Sequence, residues 1–149
     1  MSLPAITVWA PWGSLMIPGG LKWIETRTHD RFKSLIGETI VIHQGRSRAP
    51  LDMVLRMVRE VGASRAAAWL VDNAAEAPMG VGLGTARVFL VGWLDDTIET
   101  NIAACCRTKD RFGLYLDNLE PFENPIPARG AQGIWSWEGR ADVRKAPRV

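Results

Sequence analysis

A chain of 149 residues is one domain by length, with room for a single hydrophobic core. Its 47% hydrophobic and 23% charged residues are those of a folded globule. No stretch approaches the roughly 20 apolar residues of a membrane span. The N-terminus also lacks the basic start and long apolar run of a signal peptide.

The formal charge is only +2, but it is unevenly spread. Residues 44–65 hold Arg46, Arg48, Arg56, Arg59 and Arg65 against Asp52 and Glu60. The end of the chain is again basic, with Arg129, Arg140, Arg144, Lys145 and Arg148. Residues 66–101 set Arg87 against five carboxylates. This asymmetry fits a basic face for a polyanion as well as it fits an ordinary solvated surface. Cys105 and Cys106 are adjacent, where bridge geometry is poor, and two thiols without further ligands do not make a zinc site. A reduced, cytoplasmic protein without metal or cofactor is the expectation. Seven tryptophans are many for this length, and indoles gather at core edges and binding surfaces.

In chain order, Ala5–Trp9 predicts a short strand. Pro11 suits the first turn of a brief helix that Pro18-Gly19-Gly20 ends. Leu21–Thr28 reads as a strand, His29–Glu38 as a loop, and β-branched Thr39–Gln44 as a strand. Leu51, Val54, Leu55, Val58 and Val61 recur at helical spacing between Pro50 and Gly62. Ser64 is the expected cap of a second helix from Arg65 to about Asp72. Gly80, Gly82 and Gly84 do not fit a dinucleotide loop, which needs strand, glycines and helix in that order. They lead instead into a strand, Thr85–Leu94. Asp95–Asp110 reads as loop or irregular helix, Arg111–Asn118 as a strand, Glu120–Pro127 as extended and Gln132–Glu138 as the last strand. Residues 139–149 predict a loose tail after a domain spanning 1–138.

Two segments carry the functional signal: Pro11-Trp12-x-Ser14-Leu15, then Gly20-x-Lys22-x-x-Glu25-x-Arg27. Strand side chains alternate faces, so Glu25 and Arg27 share one, and a turn near Gly20 brings Lys22 to the same mouth. Ammonium, carboxylate, guanidinium and indoles together suit a nucleobase or a nucleotide phosphate. On spacing alone they suit surface ion pairs on an edge strand with core tryptophans somewhat better. Lys22 follows a glycine turn, which places its ammonium in a wet cleft. Trp9, Trp93 and Trp135 lie in strand runs and read as core. His43 ends an apolar strand and reads as a buried hydrogen-bonding residue more readily than as a base.

The paired motifs resemble the ASCH family (activating signal cointegrator homology), a branch of the PUA-like superfamily. Pro125-Ile126-Pro127 and Gln132-Gly133-Ile134-Trp135-Ser136-Trp137 resemble the family's closing segment. Thr39–His43 and Gly84–Val91 resemble two of its strands. The sequence departs from the family pattern at Ala10, where glutamine is usual, and at His29, where an aromatic is usual.

The resemblance implies an α+β fold: a small PUA-like mixed β-barrel, a short helix over one mouth and a helical pair packed on the side. It implies a cleft lined by Trp12, Ser14, Lys22, Glu25 and Arg27. That cleft would bind RNA or other single-stranded nucleic acid, or a nucleotide or nucleoside. One bacterial branch of the family is instead an amidohydrolase acting on an N-acylated cytidine, using a lysine, a threonine nucleophile and a separate glutamate. Lys22 matches the lysine. The threonine position falls on Glu25, with Thr26 and Thr28 close by, and the separate glutamate has no match.

Overall fold

The structure, a computed structural model, describes residues 2–138, and the tail expected at 139–149 lies outside them. The strands are β1 (Leu3–Ala10), β2 (Ile24–Arg27), β3 (Thr39–Arg48), β4 (Val81–Trp93), β5 (Phe112–Pro127) and β6 (Trp135–Trp137). The helices are α1 (Trp12–Met16), α2 (Leu51–Glu60), α3 (Ser64–Asn73) and α4 (Ile98–Ala104), with short 3₁₀ turns at Lys33–Leu35 and Ala74–Glu76.

All six strands join one mixed sheet in the order β2-β5-β4-β3-β1-β6. β1 runs parallel to β3, and the other pairs are antiparallel. β2 and β6 are its edges. The α+β class stands; the hydrogen-bonded ladder among the described residues is an open six-stranded mixed sheet, which does not establish the expected barrel. One side-chain bond nonetheless spans β2 and β1: Arg27 Nη2 donates to the Thr7 carbonyl at 3.4 Å. β6 pairs only with Leu3, Pro4 and Ala5, which leaves the later part of that β1 edge without a strand partner.

The inner cluster gathers residues of four strands: the alternating pairs Ile6 and Val8, Ile40 and Ile42, and Leu114 and Leu116, with Val88 and Val91 on either side of a register shift in β4. Met16 of α1 joins it, while its neighbour Leu15 packs with Val54, Val58, Ala66, Ala67 and Leu70 of the helical pair. The short helix thus bridges the sheet core and α2–α3. In α2 the fully buried Val54 and Val58 are four residues apart, one above the other on a single face.

Several boundaries differ from expectation. β2 begins at Ile24, because residues 21–23 turn toward α4: Trp23 N–H donates to the Ala103 carbonyl. Ser64 is the first residue of α3, not its cap. Glycines 82 and 84 lie inside β4, where close approach explains them. A Cβ on Gly82 would run into Trp137, and one on Gly84 into the backbone of Glu120.

Arg111–Asn118 and Glu120–Pro127 merge into the single strand β5, with register shifts against β4. Pro121 and Pro125 are tolerated because β2 pairs only with Phe112–Tyr115, so no ladder partner on that side loses a bond.

Candidate functional site

The sheet, α2 and the segment before β6 enclose a cleft of about 1770 Å³. Its walls include Thr7 to Trp9 of β1, Glu25 to Arg27 of β2, Gly45 to Ser47 of β3, Met53 and Met57 of α2, and residues 127–134. Seven cationic side chains line it: Lys22, Arg27, Arg31, Arg46, Arg107, Arg111 and Arg129. Glu25 is the one carboxylate among its described lining residues. Low-dielectric walls carrying one sign of charge focus the field and attract counter-ions.

The structure brings Lys22, Glu25, Arg27 and Trp12 together on this cleft. Arg27 Nη2 lies 3.2 Å from Glu25 Oε2, and Lys22 Nζ 3.9 Å from Glu25 Oε1. The Lys22 ammonium stands 5.3 Å from the centre of the Trp12 ring, and the Arg27 guanidinium 4.9 Å from that of Phe32, both within cation–π range.

Lys22 is not the wet ammonium its glycine turn suggested. It is 2% exposed and donates to the carbonyls of Ile24 (2.9 Å) and Ala104 (2.5 Å). Ala104 ends α4, where a left-handed Cys105 closes the helix, so the cation sits against a helix C-terminus whose carbonyls need donors. Lys22 therefore ties the start of β2 to the end of α4.

Ser14 is not brought to the cleft. It is buried, its hydroxyl accepts from Gln44 Nε2 at 2.8 Å, and its backbone N–H donates to Gln44 Oε1 at 2.9 Å. Gln44 Nε2 also donates to the Pro78 carbonyl. The Ser14 N–H in the first turn of α1 is thus satisfied from inside. Trp12 packs on the α2–α3 cluster and also lines the cleft.

Two tryptophans expected in the core are exposed, Trp9 at 57% and Trp93 at 59%, while Trp135 is half-buried. Trp137 is the buried one. Sequence reasoning missed Trp9 as a cleft residue. The available signal was the alternation in β1, where Ile6, Val8 and Ala10 are buried and Thr7 and Trp9 are not.

His43 anchors the opposite wall. Its Nε2 faces the Ala128 carbonyl at 2.7 Å, which accepts only, so this nitrogen carries the proton. Nδ1 then accepts from the Thr7 hydroxyl at 3.2 Å, and that oxygen accepts from Trp135 Nε1–H at 3.0 Å. Every partner in this chain is satisfied. Burial pushes the imidazole below its usual value, opposed by the bond to Ala128. A Cβ on Gly130 would meet the His43 ring at 2.6 Å, so only glycine lets this segment close over the histidine.

The basic segments of the sequence contribute unequally. Arg46 and Arg129 line the cleft, but Arg48 donates to the carbonyls of Ala74 and Ala77. Arg107 is countered by Asp96 at 3.3 Å and Glu60 at 3.9 Å. Arg111 donates to the Thr26 hydroxyl at 3.1 Å. The buried Nε donors of Arg27 and Arg111 have no partner among the described residues. Cys105 and Cys106 are free and buried, and burial pushes the Cys105 thiol up to about 11. Among the described residues no group of three or more His, Cys, Asp or Glu side chains could hold a metal ion, and no helix is long and apolar enough to cross a membrane.

No protein-family model and no curated protein matches the sequence. Solved structures do match. The ASCH protein of Zymomonas mobilis superposes with a TM-score of 0.57 at 11% identity, covering 97% of this chain and 93% of that one. A serine-to-alanine variant of it gives 0.55 at 12% identity over 98% and 93% of the two chains. A tyrosine-to-phenylalanine variant gives 0.54 at 12% over 98% and 95%. With nearly the whole of both chains aligned at so low an identity, the likeness is one of architecture: the chain has the fold of the Zymomonas mobilis ASCH protein.

Proposed function

We propose that this cleft binds nucleic acid, as a short single-stranded segment or a nucleotide. The carrying observation is the charge of its lining, seven cationic side chains against one carboxylate. Arg31, Arg46, Arg111 and Arg129 have no ion-pair partner among the described residues, so their charge is available to phosphate. Glu25, 13% exposed at the side chain and braced by Arg27, is placed to accept from an exocyclic amine of a base. The part-open Trp12 ring adds a stacking face. The likeness to the ASCH fold agrees with this reading. Buried free thiols suit a reducing, cytoplasmic setting.

The amidohydrolase alternative draws less from the geometry. Lys22 commits two of its three donors to carbonyls, and the Thr26 hydroxyl accepts from Arg111. Neither is paired with a general base in the manner of an activated nucleophile.

Fluorescence anisotropy with a labelled hexanucleotide at several salt concentrations tests the proposal. Binding should weaken with salt, at a log–log slope of about −0.7 per phosphate contacted. No binding at low salt, or salt-independent binding, would refute it. Incubation with N4-acetylcytidine, followed by acetate release, tests the alternative.

A further inference from the structure

The second half of the cleft carries an arrangement that the paired motifs do not touch. Where β1 runs beside β3, Val8 pairs with Gln44 and Ala10 with Arg48. One residue of β1, Trp9, therefore faces three of β3: Gly45, Arg46 and Ser47. Such a bulge bends the strand and re-aims side chains, and bulges are frequent beside functional sites.

Glycine is needed here, since a Cβ on Gly45 would meet the Thr7 methyl at 2.9 Å. Trp9 belongs to none of the core clusters and keeps 57% of its surface exposed between two buried neighbours. Arg46 lies against Gly80: a Cβ there would stand 3.2 Å from the guanidinium carbon, and Gly80 itself has a positive φ of 69°. Gly80 thus accommodates a guanidinium that has no carboxylate partner among the described residues. Trp9, Arg46 and Ser47 all line the cleft.

We propose that the β1–β3 bulge is a nucleotide subsite in which Trp9 stacks on an unpaired base and Arg46 takes a neighbouring phosphate. The inference rests on the nucleic-acid reading of the cleft and extends it. With Glu25 and Arg27 serving one nucleotide and the bulge another, the cleft takes an oligonucleotide in preference to a mononucleotide. An indole face is sequence-tolerant, because every base has a π-face, but the base must be out of its duplex. Single strands are therefore preferred to duplexes.

The test compares wild type, Trp9→Ala, Trp9→Phe and Arg46→Gln in titrations with a labelled single-stranded hexanucleotide, a duplex of the same sequence and AMP. Trp9→Ala should weaken hexanucleotide binding by about tenfold or more, the usual loss for a stacking aromatic. Trp9→Phe should keep most of the affinity. Affinities for duplex and AMP should stay within about twofold of wild type. Arg46→Gln should lower the salt slope for the single strand by about 0.7. Melting temperatures of all variants should match wild type, since both side chains are removed from a surface. A wild type that binds no oligonucleotide overturns the cleft reading and the subsite with it. A wild type that binds, with Trp9→Ala and Arg46→Gln binding equally well, overturns the subsite alone.

Discussion

Replacing Lys22 by methionine separates a structural lysine from a ligand-binding one. The substitution keeps chain length and apolar volume but removes the ammonium. Two buried carbonyls, Ile24 and Ala104, then lose their donor. An unsatisfied buried acceptor costs about 1–3 kcal/mol, so the pair costs roughly 2–6 kcal/mol. Removing a buried charge returns part of its desolvation penalty, which puts the net loss in the lower half, about 2–4 kcal/mol. For a domain of this size each kcal/mol moves the melting temperature by roughly 3 °C, so Lys22→Met should melt about 6–12 °C below wild type. Thermal melting by circular dichroism and oligonucleotide titration, made on the same sample at a temperature where both proteins are folded, read the two effects. A solvent-facing ammonium would instead leave melting unchanged and cost binding alone. If Lys22→Met melts within about 2 °C of wild type, the carbonyl cage is not holding β2 to α4 and the reasoning fails.

Gln44→Leu should destabilise by about 2–5 kcal/mol in urea titration, because the Ser14 N–H and the Pro78 carbonyl lose their buried partner. Gly84→Ala should cost at least about 2 kcal/mol or prevent folding, since the added methyl meets the backbone of Glu120 across the β4–β5 pair. The pH prediction comes from His43. Its folded value is lowered, so below about pH 6.5 the unfolded chain takes up a proton that the folded state resists. Stability should therefore fall as pH drops below about 6.5 and level off once the folded value is passed. A one-dimensional NMR titration should show the His43 resonance moving at lower pH than a free histidine; a shift at or above 6.5 contradicts the assignment. Cys105, held up to about 11 by burial, should resist a thiol reagent at pH 8 in native protein and react on unfolding.

Local chemistry alone determined much of this protein. β-branched residues made β3 plain, apolar spacing between Pro50 and Gly62 made α2 plain, and Pro11 and Pro18 bracketed α1. Strand alternation sufficed to put Glu25 and Arg27 side by side, because that relation spans only two residues. Other features depend on partners far away in the chain. Lys22 is buried because Ala104 lies 82 residues on, and Ser14 is sealed because Gln44 lies 30 residues on. No window of sequence holds both ends of either bond. Trp9 reads as core from its apolar strand run, yet it falls on the outward phase of β1, between buried Val8 and Ala10. The basic runs of the sequence pointed to a charged face but to only two of its members, Arg46 and Arg129. Arg27, Arg31, Arg107 and Arg111 reach the cleft from outside the basic runs that the sequence singled out, and Arg48 is diverted to carbonyls. Tertiary structure decided which charges face the cleft, because only the pairing of distant strands fixes which side of each strand lies toward it.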